Sequence, residues 1–318
     1  MGFLASLFLL ICCGLLVGAL LRKLHLPPLL GMLACGMLLG PYVGNVLSAD
    51  LIAVSADLRE LALFLILLRA GLSLDLHKLR SQGRIAVLLC FVPALFEIAA
   101  YVGFSYLFYR MPPQSALILG CVMAAVSPAV IVPRMLRLQS LGYGAEHSVP
   151  QVITAGASAD DILVIVLFSA LTAHSGGGID WNFLWQLPVG ILSGIGIGIL
   201  IGLMLLLLIR KNVLHSGAVT AFILVACAVG CSYLQDVIAP WFPYYSLLSP
   251  LAAGVMLYHK RGEFAQSATH TLSYAWAIAE PVLFGLIGAA FDPRLAAQFG
   301  FKVIGLIFCA LAVRLIGV

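Results

Sequence analysis

Charge is scarce along this chain: Asp, Glu, Lys and Arg make up 9% of its 318 residues, against about a quarter in ordinary soluble domains. Also missing is any polar stretch long enough for a soluble domain, a linker or a low-complexity tract. The longest polar connection, 173–186, is glycine-rich and carries Trp181 and Trp185, aromatics suited to an outer headgroup belt. No CxxC pair or His/Cys ligand spacing occurs, which excludes the usual zinc and thiol-redox frameworks. The eight cysteines (Cys12, Cys13, Cys35, Cys90, Cys121, Cys227, Cys231 and Cys309) all lie in apolar runs and read as small packing residues. The net charge of +4 is divided among short segments and forms no basic stripe, so it does not point to nucleic acid. No cofactor is expected.

What fills the chain is hydrocarbon. The sequence is 63% hydrophobic with a mean hydropathy of +1.12, and runs able to cross an apolar layer of about 30 Å recur throughout. About eleven spanning helices are predicted, near 3–21, 28–47, 51–70, 84–108, 114–138, 148–172, 187–209, 217–234, 244–258, 270–290 and 301–318. Loop charges provide an independent check. Alternate loops hold Arg22 and Lys23, then Lys78, Arg80 and Arg84, then Arg134 and Arg137, then Arg210 and Lys211, then Lys260 and Arg261. The intervening loops carry only Arg59, Arg110, Arg294 and Lys302, beside Asp50, Asp180, Asp236 and Asp292. The positive-inside rule therefore places the first set in the cytoplasm and the N-terminus outside. The expected location is the plasma membrane, as a multi-pass protein of a bacterial inner membrane. The seventh run carries Gly190, Gly194, Gly198 and Gly202, a flat ridge for close helix approach within the chain or across a dimer.

The informative residues are the polar ones inside these runs. Asp160 and Asp161 are adjacent in SADDILVIVLF, where each carboxylate would cost roughly 2.5–3.5 kcal/mol at a bilayer centre. Successive helical residues are rotated by about 100°, so the two acids cannot share one orientation. Thr154, Ser158 and Asp161 form one polar stripe of hard oxygen donors, the chemistry of a small, hard cation, whereas acids that only tie helices together are the structural alternative. In AAVSPAVIVPRM, Pro128 and Pro133 lack the backbone donors that would reach the carbonyls of Ala124 and Ala129. Free carbonyls at membrane depth, here around Ser127, line a cavity or are buried in protein, as in the broken helices of transporters. A plain proline kink is the other reading. Glu97 sits within the fourth run, and Arg314, read as the one intramembrane cation far from a loop, sits in the last. Arg314 cannot deprotonate, so it pairs with Glu97 or Asp160, or snorkels to an interface. Glu280-Pro281 begins the apolar core of the tenth run, near its membrane boundary, and His174, His215, His259 and His270 lie near helix ends and read as interfacial.

The segments FLILLRAGLSLDLHKLR (64–80) and AVSPAVIVPRMLRLQSLGYG (125–144), followed by SADDILVIVLF, resemble the monovalent cation:proton antiporter superfamily, the sodium/hydrogen exchanger domain, and in particular its NHA branch. The resemblance spans the chain. It implies an all-α, thirteen-helix fold with inverted repeats, working as a homodimer in the bilayer. Residues 84–172 and 301–318 then belong to a core that carries the ion by an elevator-like movement, and 1–83 and 187–290 to a dimerisation scaffold. It implies that Asp161 is the essential ion- and proton-binding aspartate and Asp160 its neighbour. Glu97 and Arg314 match the family's intramembrane acid–base pair, and Ser127–Pro133 its first unwound crossing helix. A second unwound helix and a last helix would follow Val318, so the chain reads as C-terminally incomplete.

The function implied is exchange of Na+ or Li+, or K+, for protons, by competition at Asp161 with Asp160 and the Ser127-region carbonyls completing the site. This is a transporter and not an enzyme. A truncated, non-transporting paralogue is the main rival. An ion channel lacks repeated pore signatures here, and an intramembrane aspartyl protease needs its two aspartates on separate, facing helices.

Overall fold

The computed structural model describes residues 2–72, 83–125, 183–212, 216–238 and 241–318, with isolated positions between 135 and 171 and at 214. Among these residues the only regular structure is helical. The helices are α1 (Phe3–Lys23), α2 (Pro28–Leu39), α3 (Ala49–Ala53), α4 (Ser55–Gly71), α5 (Gly83–Tyr109), α6 (Pro113–Ala124), α7 (Phe183–Arg210), α8 (Gly217–Ile238), α9 (Leu248–Lys260), α10 (Gly262–Ala289), α11 (Pro293–Phe299) and α12 (Phe301–Ile316). Among the described residues five stretches are long and apolar enough to cross a membrane: α1, Phe91–Tyr109 of α5, Pro188–Arg210 of α7, α8 and α10. Their outward faces are apolar too, with Leu4, Phe8, Leu16, Leu192, Leu200 and Phe222 exposed. Such surfaces suit lipid and would be costly in water.

Several helix ends differ from the sequence expectation for identifiable reasons. α2 stops at Leu39 and does not run to 47, because Gly40 turns extended and Pro41 follows it. The chain then loops back to Ser48, whose hydroxyl accepts from Leu51 N–H to cap α3, while Ser48 N–H donates to Ser6 Oγ at 2.9 Å. α10 begins at Gly262 and not near 270, since its first turns are polar and hydropathy marks only the apolar part of a helix. Glu280 and Pro281 lie in its second half. His270 is likewise inside the helix, edge-on to Tyr274 with ring centroids 5.0 Å apart. The predicted helix 114–138 appears as α6 ending at Ala124, with Ala125 extended. The predicted helix 148–172 lies almost entirely outside the described residues.

The principal helix contacts fall into two sets. In one, α5 packs on α6 and on α12. In the other, α1–α4 and α7–α10 pack on one another, with α7 on α9 and α2 on α10 making the most extensive seams. The glycine ridge of α7 serves the α7–α9 seam. A Cβ at Gly198 would meet Ala252 Cβ at 2.7 Å, and one at Gly202 would meet Met256 Cβ at 2.8 Å. With the backbones this close, Ser249 Oγ donates to Gly194 O at 2.9 Å, and Ser193 Oγ to Pro243 O at 2.9 Å. Lipid is as apolar as leucine, so close packing and such hydrogen bonds hold the seam.

Two substitutions on this helix should act oppositely. Gly198→Leu should destabilise the protein by about 1–3 kcal/mol through overpacking. Gly196→Ala, which enters open space, should be neutral or stabilising by up to about 1 kcal/mol. Thermal melting of the purified protein in detergent measures both.

Candidate functional site

The described part of the site is assembled from three helices. α5 supplies Glu97, one turn beyond its internal Pro93, and the side chain is buried. α6 approaches α5 through Gly120, where a Cβ would lie 3.1 Å from Ile98 Cα and 3.2 Å from Tyr101 Cβ. α12 brings Arg314 in its last turn, with Gly317 lying against Pro93 and Phe96. The Arg314 guanidinium donates through Nη1 to Glu97 Oε2. The same nitrogen donates to the carbonyl of Ala124 at 2.8 Å.

That carbonyl is the one that Pro128, four residues on and without an N–H, cannot satisfy. Arg314 supplies the missing donor. The position is also electrostatically favourable, because the C-terminal ends of α6 and of α12 both present partial negative charge to the cation. Glu97, one of the two partners the sequence left open, meets Arg314, and Asp160 lies outside the described residues. Removing one member of such a pair leaves an uncompensated charge in an apolar setting, which is far costlier than the net worth of the pair.

Seven candidate site residues lie outside the described residues: Asp160, Asp161, Ser158, Thr154, Ser127, Pro128 and Pro133. Val164, three residues after Asp161, is described and buried against Ala94, Ile98, Cys121 and Ala124. Val164 therefore packs on α5 and α6. Among the described residues no three His, Cys, Asp or Glu side chains group as metal ligands.

Sequence reading missed a second charged group inside the helices. Arg314 is not alone in this respect, because Arg69, in the last turn of α4, is half-buried with its guanidinium 5.8 Å from the Trp276 ring centroid of α10. Glu280, one turn further along α10, lies within electrostatic reach of both Arg69 and Arg22. Arg69 stood within FLILLRAG, where the sequence reading gave it no role. Glu60 of α4 was also unmarked; its carboxylate accepts from the Ser232 hydroxyl of α8.

The ion pair gives a direct test. Arg314→Ala strands both Glu97 and the Ala124 carbonyl and should cost about 3–5 kcal/mol. Exchanging the two residues, Glu97→Arg with Arg314→Glu, should retain more folded protein than either Glu97→Gln or Arg314→Gln alone. Fluorescence-detected size exclusion gives the folded yield, and equal losses would show that the residues do not act as a pair.

Comparisons with known proteins agree with this architecture. The chain matches the family described as "Sodium/hydrogen exchanger, transmembrane" over residues 7–318. It is 32% identical over 301 residues to human sodium/hydrogen exchanger 9B1, a match covering 91% of this chain and 57% of that protein. It is 32% identical over 302 residues to mouse sodium/hydrogen exchanger 9B2, covering 91% and 54%. The chain thus spans little more than half the length of these relatives. Its fold matches the structure of the sodium proton antiporter MjNhaP1 from Methanocaldococcus jannaschii with a TM-score of 0.80, at 19% identity, covering 99% of this chain and 77% of that one. Helices that bury an acid–base pair, a carbonyl exposed by a helix break, and a family match along almost the whole chain lead to one assignment: this is a multi-pass membrane protein of the sodium/hydrogen exchanger family.

Proposed function

We propose that this chain forms the membrane-embedded part of a secondary antiporter exchanging Na+ or Li+, or K+, for protons. The observation that carries the reading is the double engagement of Arg314. One permanently charged guanidinium neutralises Glu97 and also the negative end of α6 at Ala124. In this reading the carboxylates of Asp160 and Asp161 meet the mobile cation. A carboxylate can hold a proton or a metal cation but not both. Competition at Asp161, with the site opened alternately to the two sides, is sufficient for antiport. Asp160, Ser158, Thr154 and the backbone near Ser127 complete the oxygen set in this reading, and hard oxygen donors favour the smaller ions.

The movement is assigned to the set that carries the pair. Residues 84–172 and 301–318 shift as a core against a scaffold of 1–83 and 187–290, through which two copies join as a homodimer. The division of the principal helix contacts into α5, α6 and α12 on one side and α1–α4 with α7–α10 on the other supports this split. The wider fold is read as a thirteen-helix inverted repeat, with the N-terminus outside and the basic loops in the cytoplasm.

Dequenching of a pH-sensitive dye in everted vesicles, after addition of sodium, lithium or potassium, tests the activity. Asp161→Asn should abolish the response and Asp160→Asn should weaken it. An unaltered response in Asp161→Asn would remove that residue from the mechanism.

A further inference from the structure

Helix α5 carries a second polar feature that the ion pair does not use. Starting from Glu97 and stepping four residues at a time, one face presents Glu97, Tyr101, Ser105 and Tyr109. Glu97, Tyr101 and Ser105 are each no more than 1% exposed. Tyr101 Oη and Ser105 Oγ are buried without a hydrogen-bond partner in the protein. Buried hydroxyls left in that condition are rare and call for an explanation, commonly an ordered water or a functional role.

The usual escape for a helical hydroxyl is the carbonyl four residues back. Thr220, Thr269 and Ser273 all take it, at 3.0, 2.8 and 2.8 Å. Ser105 does not. Tyr101 has no such option, because its hydroxyl lies at the far end of a ring and out of reach of its own backbone. The face ends at Tyr109, which lines an open cavity of about 600 Å³ together with Gln298, Gly300, Phe301 and Lys302, at the junction of α11 and α12. Two orphan hydroxyls thus lie along α5 between an open cavity at one end and a buried carboxylate at the other. The span from Glu97 to Tyr109 is about 18 Å at 1.5 Å per residue. Each four-residue step is about 6 Å, a gap that one or two bridging waters close.

We propose that the Glu97–Tyr101–Ser105 face is a water-bridged proton path joining the cavity at Tyr109 to the Glu97–Arg314 pair. A proton arriving from the cavity binds the Ser105 side of the chain. Each hydroxyl accepts one proton and passes on its own, and the last transfer protonates Glu97 while Arg314 keeps its bond to the Ala124 carbonyl. The reverse sequence returns the proton, and no group undergoes net change. The path runs along α5 where Tyr101 packs against Leu306 and Ala310 of α12. Its transport role rests on the antiporter reading, whereas its hydration does not.

The experiment therefore has two arms, both on the full chain in lipid vesicles. In the first, Ser105→Cys is exposed to a small membrane-impermeant thiol reagent from either side, and modification is read on the peptide by mass spectrometry. The residue should react from the side carrying the 110–112 connection and not from the other, while native Cys121, buried off this face, stays unmodified. A Cys at 105 as inert as Cys121 overturns the proposal. In the second, Tyr101→Phe should slow sodium-driven proton movement about tenfold or more, as expected for loss of a positioned proton-transfer group. Its sodium half-saturation should not change. An unaltered rate, or a higher melting temperature with an unaltered rate, marks the hydroxyl as a dry packing defect and overturns the proposal. If the native protein exchanges no cation, the antiporter reading fails, and the labelling arm alone decides whether the path is wet.

Discussion

A guanidinium that cannot lose its proton must be neutralised wherever an apolar helix carries it, and in this protein that requirement organises the half of the molecule around α5. Arg314 meets it with a side chain from α5 and a main-chain carbonyl from α6. Three helices are therefore tied by one residue, and the tie lies where the hydrogen-bond ladder of α6 ends. The helix break and the ion pair are one feature: the proline exposes an acceptor, and the arginine needs one. Together they avoid two costs that an apolar surrounding makes severe, an unpaired charge and an unsatisfied carbonyl.

The other helix set is held by different means. Against lipid, burial of leucine offers little advantage, so helices associate where their backbones can come close. The ridge of α7 on α9 and the glycine contacts of α2 with α10 provide that approach. Arg69 with Trp276, and Glu60 with Ser232, add polar fastenings among α4, α8 and α10. One set is thus tied by charge around a broken helix, and the other by packing of small residues. That contrast suits a division between a part that handles ions and a part that holds its shape.

Legibility from the sequence followed the energetic cost of each feature. Glu97 and Arg314 stood out because a charge within an apolar run must be compensated, and Pro128 because a missing N–H always leaves a carbonyl behind. The glycine ridge was visible by its spacing of four, although the spacing alone did not say whether it faced its own chain or a second copy. Arg69 and the Glu97–Tyr101–Ser105 face escaped notice. An arginine near a loop and hydroxyls on an aromatic-rich helix are ordinary in sequence and become unusual only when their burial is known. Helix ends were misplaced where polarity and helicity part company, as in the first turns of α10, or where a short apolar segment stops at Gly40-Pro41.

Residue identity by itself determined that this chain crosses a membrane, which polar groups require partners, and where one helix must break. These follow from local chemistry, namely the cost of charge in hydrocarbon and the absent donor of proline. Partnership was decided only in three dimensions. Glu97 and Arg314 are separated by 217 positions along the chain, and no local rule chooses between Glu97, Asp160 and an interface as the destination of an arginine. The packing of α12 on α5, with α6 brought close by Gly120, brings Glu97 to Arg314 by placing a carboxylate and an orphan carbonyl within reach of a single nitrogen.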